Sequence, residues 1–188
     1  MSTKYKFRNP EGIYFISTAT VYWLDVFTRR LYKDIIIDSL KYCIKEKGLI
    51  VYAYVIMSNH IHLLIGKKKT ELSFSDIIRD FKKFTAMKLI KAIKENPQES
   101  RKEWILWMME RAGKKNGNNT NYQFWQQDNH PIQLEGKWID QKLEYIHNNP
   151  VETGSVNNSE EYYYSSARNY NGLIAPLKIK SIYDGNEI

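Results

Sequence analysis

Cysteine is almost missing from this chain: Cys43 is the only one in 188 residues. A lone thiol makes neither a disulfide framework nor a thiolate zinc site, which excludes the cross-linked secreted scaffolds and the zinc ribbons. Long apolar runs are missing too. None approaches the ~20 residues that crossing a bilayer requires, and Met1 to Pro10 is polar and basic, unlike a signal peptide. A reducing, cytoplasmic setting is therefore the expectation, with no membrane partner. Acidic side chains are in deficit, 21 against 28 basic ones, and the resulting +7 favours a polyanionic partner. No internal repeat or low-complexity tract is present. The 188 residues read as a single domain, 1–188, with a basic leader (Lys4, Lys6, Arg8) and a C-terminal extension after about 155.

The 43% hydrophobic content is enough for a real core. Ile13 to Trp23 alternates apolar residues with Thr and Ser and reads as a first strand. Thr28 to Lys47 carries Leu31, Ile35, Leu40 and Ile44 at helical spacing, with Gly48 as the stop. Leu49 to Met57 is almost continuously apolar, as in a strand buried on both faces and central in its sheet. Ser58-Asn59 then turns the chain into a paired strand from His60 to Ile65. A long helix is expected over Ser73 to Ile93, burying Phe74, Ile77, Ile78, Phe81, Phe84 and Ile90. Arg79, Lys82 and Lys83 cluster within about one turn of it; they fit either a solvated face or contacts to a phosphate backbone.

Arg101 to Arg111 reads as a shorter helix packing Trp104, Ile105, Trp107, Met108 and Met109 into the core. A polar, glycine-rich loop follows from Gly113 to Asn121. Phe124 to Gln127 and Pro131 to Leu134 resume extended structure, and a last helix runs from Lys137 to Asn148, ended by Pro150. The segment after Arg168 has little pattern.

Two places carry chemistry. His60 and His62 flank Ile61 in a strand, so both imidazoles share a face and can converge on one divalent ion. The same pattern also suits the wet face of a half-buried strand, and taken alone that plain reading outweighs the other. In the last helix Ile139, Leu143 and Ile146 form a core stripe, while Tyr145 and Asn149, four apart, share a neighbouring face. Tyrosine hydroxyls have a pKa of about 10 and are poor nucleophiles at neutral pH. One can attack a phosphodiester when a divalent ion polarises the phosphate. Two imidazoles and one amide oxygen would make a facial ligand set with open positions for that ion.

His60-Ile61-His62 resembles the HUH motif (His, hydrophobic, His) of single-strand DNA nucleases. Met57 to Leu64, together with Tyr145-Ile146-His147-Asn148-Asn149-Pro150-Val151 and Tyr164-Ser165-Ser166, is similar to the single-tyrosine transposases of bacterial insertion sequences, in particular the REP-associated tyrosine transposases. The separate pieces are weak, but their ordered combination is specific. The resemblance implies an α+β, ferredoxin-like sandwich with the His-x-His strand central in an antiparallel sheet. It also implies His60 and His62 as metal ligands, Tyr145 as nucleophile, Asn149 as third ligand, and Mg²⁺ or Mn²⁺ as the ion. Glu152 stands where relatives often carry Lys or Arg, so a phosphate contact is not expected there.

The expected function is metal-dependent cleavage and transfer of single-stranded or hairpin DNA through a 5′-phosphotyrosine. A catalytically silent, domesticated DNA-binding protein is the alternative; a hydrolase using the histidines to activate water is a second. The first would not need Tyr145, and the second would leave free 5′-phosphate ends. A monomer is favoured over a homodimer that swaps its tyrosine helix.

Overall fold

Nine elements follow one another in the computed structural model, which describes residues 7–117, 121–127 and 130–184. They are β1 (Ile13–Ala19), α1 (Arg30–Glu46), β2 (Leu49–Ile56), β3 (His60–Lys67), α2 (Phe74–Glu95), α3 (Lys102–Lys114), β4 (Ile132–Leu134), α4 (Lys137–Glu152) and α5 (Ala167–Tyr170). Lys4 and Lys6 of the basic leader lie outside the described residues, as do three positions of the 113–121 loop.

The strands form one antiparallel sheet in the order β2-β3-β1-β4. With helices packed on it, this is the ferredoxin-like arrangement that the sequence led us to expect. Strand alternation sorts the sheet into two faces. Tyr14, Ile16, Ile61, Leu63 and Ile65 join α1 and α2 in the larger core. Phe15, Val55 and Leu64 face the other way, toward Leu143 and Ile146 of α4. Each buried aliphatic side chain of that size is worth roughly 1.5–3 kcal/mol, so these two side chains help to hold α4 to the sheet.

Local sequence explains the ends of the elements. Ser73 caps α2: its Oγ accepts from the Asp76 amide at 3.1 Å while the Asp76 carboxylate accepts from the Ser73 amide at 3.3 Å. Gly48, with φ +70°, releases the chain after α1 into the left-handed region. A bulge at Tyr52 in β2 shifts its register on β3. Val51 therefore faces the larger core, and Ala53 and Val55 the smaller.

Several expectations need correcting. β2 is buried on both faces but ends the strand order; β3 is the central strand. The outer edge of β2 is covered by residues 164–166, where Ile56 donates to the Tyr164 carbonyl (3.0 Å) and Ser166 to the Tyr54 carbonyl (2.9 Å). Residues 164–166 thus shield that edge. β1 stops at Ala19, because the chain turns into a 3-10 segment at Val21–Trp23. In α1 the buried stripe is Tyr32, Ile36, Ile37, Leu40 and Cys43, and Leu31 is exposed. In α2 Thr85, not Phe84, points inward, since its Oγ1 accepts from the buried Trp125 indole at 3.0 Å. In α3 the phase that buries Ile105, Met109 and Ala112 leaves Trp104 and Trp107 outside, and the helix runs on to Lys114. Pro150 sits within the last turn of α4, which continues to Glu152. There it forfeits one hydrogen bond near the end, while Thr153 still donates to the Asn149 carbonyl at 3.2 Å.

Candidate active site on the His-x-His strand

β3 lies between β1 and β2, with His62 opposite Ser17 on one side and Val55 on the other. Because Ile61 points into the larger core, His60 and His62 point to the α4 side. Their ring centroids are 4.6 Å apart. α4 crosses above them and brings Tyr145 into place: its hydroxyl is 3.4 Å from His62 Nε2. Phe15 lies against the His62 ring, centroids 5.3 Å apart and 27° from parallel, and forms the floor. Tyr145 is 37% exposed, so the nucleophile candidate is open to a ligand, while His60 below is half-buried and His62 is buried.

One turn further along α4, Asn149 is 7% exposed and its Oδ1 makes no hydrogen bond. His62 is 5% exposed, and its Nδ1 is likewise without a partner. Buried polar atoms are nearly always satisfied; among the described residues five are not, and two of the five belong to the candidate site, on His62 and Asn149. Asn149 lies near enough to His60 to favour the protonated ring, yet its Oδ1 completes no bond, so that contact is one of proximity. His60 is oriented from its other side: Nδ1 is 2.6 Å from Asn59 Oδ1, an acceptor. That bond puts the proton on Nδ1 and leaves Nε2 as the free electron-pair donor.

Electrostatics prepare both rings as ligands. Burial lowers the proton affinity of His60. Burial, then His60, then the Lys142 ammonium push His62 down to about 3. Both are therefore neutral near pH 7, the form that binds a metal. The donor set of two imidazole nitrogens and one amide oxygen, with two of its buried atoms unsatisfied, fits a divalent ion with open coordination positions. Among the described residues no three His, Cys, Asp or Glu side chains converge, so any third donor beside the two histidines would have to be of another type, such as the Asn149 amide.

Sequence reading missed four residues here. Lys142 places its ammonium 4.8 Å from the Phe15 ring and 4.9 Å from the Tyr145 ring. Its signal was available, since Lys142, Tyr145 and Asn149 follow one another at i, i+3 and i+7. Phe15, Asn59 and Trp23, whose ring is 5.9 Å from His60, are visible only once the strand register is known. The predicted basic cluster does not join the site. α2 packs on the opposite face of the sheet, where Arg79 pairs with Asp76 (2.8 Å) and Asp80 (3.2 Å). Lys82 donates to the Gln126 carbonyl at 2.7 Å, and Lys83 borders a cleft of about 770 Å³ between α1 and α2, apart from the histidines. His147 points away from the site toward Ser166 Oγ, at 2.9 Å. No helix among the described residues is long and apolar enough to cross a membrane.

Comparison with known proteins bears on the fold and the family. No curated protein matches the sequence. Among solved structures, one of a REP-associated tyrosine transposase bound to a REP hairpin superposes with a TM-score of 0.63 at 16% identity, covering 100% of this chain and 99% of the other. At that identity the likeness establishes a shared fold. A second, from Deinococcus radiodurans r1 and assigned provisionally to the transposases, gives a TM-score of 0.44 at 18% identity, covering 79% of this chain and 95% of the other. The family model described as "Transposase IS200 like" matches residues 13–110, which include both histidines but stop short of α4. That match spans just over half of the chain, which therefore belongs to the IS200-like transposase family.

Proposed function

We propose that this transposase cleaves single-stranded DNA and transfers the strand through a covalent bond to Tyr145. One observation carries the reading: the Tyr145 hydroxyl stands 3.4 Å from His62 Nε2, on the helix that carries Asn149 one turn further on, whose buried Oδ1 makes no hydrogen bond. A fold kept for DNA binding alone gains nothing from that orphan and loses stability through it.

His60, His62 and Asn149 would hold the divalent ion, Mg²⁺ or Mn²⁺. When bound, it supplies Lewis-acid polarisation of the scissile phosphate. The chain does the rest. α4 holds the Tyr145 oxygen at the rim of the site for in-line attack on phosphorus. The new bond joins Oη to phosphorus as the bond from phosphorus to the 3′-oxygen breaks. The phenolic proton passes to water, and the departing 3′-oxygen takes up a proton in turn. The Lys142 ammonium stands over the ring from which the proton leaves and offsets the charge that develops there. A 5′-phosphotyrosine stores the energy of the broken bond, and attack by a 3′-hydroxyl reverses the step and rejoins DNA without ATP.

The substrate is a single strand, or the unpaired part of a hairpin. The net charge of +7 supports a polyanionic partner, and the REP hairpin bound to the structural relative supports the hairpin. Arg79, Lys82 and Lys83 face away from the chemistry; they are candidates for contacts to a duplex stem rather than to the cleaved strand. A single chain brings the histidines and the tyrosine together without a second copy, consistent with a monomer.

The test is incubation with end-labelled hairpin DNA and Mg²⁺ or Mn²⁺, followed by denaturing electrophoresis. The reading predicts a protein–DNA adduct that Tyr145→Phe abolishes while binding persists. Cleavage to free 5′-phosphate ends, with no adduct, would replace it with hydrolysis.

A further inference from the structure

We propose that Tyr22 and Trp23 form a stacking platform for one unpaired base of the cleaved strand, tied to His60 through the Asn59 side chain. The inference rests on the strand-transfer reading for the identity of the ligand, and on independent observations for the site. Tyr22 (φ 54°, ψ 21°) and Trp23 (φ 56°) are consecutive residues in the left-handed region. Bulky L-residues rarely adopt it, and a turn required only to reverse the chain would use glycine or asparagine there. Backbone strain of this kind persists where the surroundings impose it, and it concentrates at functional sites.

The surroundings impose it here. Val21 donates to the Phe124 carbonyl at 2.7 Å, Trp23 to the Thr20 carbonyl at 3.0 Å, and Leu24 to the Val21 carbonyl at 3.2 Å. Thr20 Oγ1 donates to the Leu24 carbonyl at 2.6 Å. Val21 and Leu24 are buried and act as two anchors. The aromatics between them are thrown outward, Tyr22 to 42% and Trp23 to 56% exposure. The turn thus bears strain in order to display two large rings in water, where they return little to stability.

One of the displayed rings, that of Trp23, stands at the candidate metal site. Trp23 lies 5.9 Å from His60. The Asn59 amide bridges the two: Oδ1 accepts from His60 Nδ1 at 2.6 Å, and Nδ2 donates to the Trp23 carbonyl at 3.3 Å. The backbone reinforces that bridge, since Thr20 donates to the Asn59 carbonyl at 2.9 Å. One side chain therefore fixes the ring of a ligand histidine and the position of the platform together. Every nucleobase has a π face, so the platform takes any base that is not paired, and it discriminates single strand from duplex rather than one base from another. From ring to ring, Trp23 is 5.9 Å from His60, His60 4.6 Å from His62 and His62 5.2 Å from Tyr145, so the strand would pass with one base on Trp23 and its phosphate at the tyrosine.

The experiment uses the full chain carrying Tyr145→Phe, so that no strand is cut, and single-stranded oligonucleotides with 2-aminopurine at successive positions. Stacking predicts fluorescence quenching at one position. Trp23→Ala abolishes the quench and weakens single-strand binding by roughly 5- to 150-fold, the range of one base–aromatic stack. Trp23→Phe keeps most of both. Trp23→Gly, which relieves the positive φ, unfolds no earlier than Trp23→Ala yet binds equally weakly, which separates lost stacking from lost folding. Binding within twofold of the parent in both Trp23→Ala and Tyr22→Ala, with the quench intact or absent throughout, would overturn the platform. In that case a wild-type adduct would leave the strand-transfer reading standing. A quench lost in Trp23→Ala without any wild-type adduct would overturn that reading and keep the platform.

Discussion

The unsatisfied Asn149 oxygen makes a prediction that needs no DNA. Leucine nearly matches asparagine in shape, so Asn149→Leu removes the orphaned acceptor without opening a cavity. A buried polar group left without a partner costs about 1–3 kcal/mol. Asn149 is 7% exposed and its Oδ1 has none, so the metal-free variant should be more stable by about 2 kcal/mol. For a chain of this size that is a rise of roughly 4–8 °C in Tm. Thermal unfolding in EDTA measures it. Titration with Mn²⁺ then supplies the second half. A ligand at a hundred times its Kd stabilises the native state by about 2.7 kcal/mol, so wild type should climb with added metal. The variant, short of one ligand, should climb far less. A variant destabilised in EDTA would refute the claim that the amide is held at a cost. One that keeps the full Mn²⁺ response would refute its role as a ligand.

Three further outcomes follow from the same structure. Burial pushes His147 down to about 4, so its neutral form is favoured in the fold. The unfolded chain takes up the proton near pH 6.5. That stability is present above pH 6.5 and is lost as pH falls through about 4, up to a ceiling of about 3 kcal/mol. Urea unfolding between pH 7.5 and 4 should show the decline, with a shallower slope in His147→Gln; an unchanged slope would contradict it. Gly48 has φ +70°, and a Cβ there would meet Thr70 Cγ2 at 2.7 Å. Gly48→Ala should therefore cost about 2 kcal/mol in chemical denaturation, and a loss below about 0.5 would show the turn to be freer than drawn. Lys142→Gln should slow adduct formation roughly tenfold, about 1.4 kcal/mol in the barrier, without lowering Tm. An unchanged single-turnover rate would remove Lys142 from the chemistry.

How much of this was legible beforehand depended on whether a feature is local in the chain. Strand alternation was enough to put His60 and His62 on one face, and helical spacing enough to put Tyr145 and Asn149 on another. Whether the two faces meet is a matter of sheet order and of where α4 lies, and only the likeness of motifs pointed that way. Phe15 and Asn59 joined the site through register and a turn, which periodicity does not encode. The core errors have a common cause. Trp104 and Trp107 were read as core from their spacing, but the phase of Ile105, Met109 and Ala112 decides which side of α3 is inward. Thr85 was passed over for Phe84 because its partner, the Trp125 indole, lies 40 residues away in sequence. Arg79, Lys82 and Lys83 showed a charge run without showing that two carboxylates hold the first and a carbonyl the second.

The central claim is that Tyr145, and no other of the fourteen tyrosines, bonds to DNA. Its most direct test is to trap the adduct on a short single-stranded hairpin with Mn²⁺, digest protein and DNA, and locate the nucleotide by tandem mass spectrometry. The account predicts a phosphodiester-linked nucleotide on the peptide containing Tyr145 and unmodified peptides over Tyr162 to Tyr164. A nucleotide on any other residue, or cleaved DNA with no modified peptide, would contradict it.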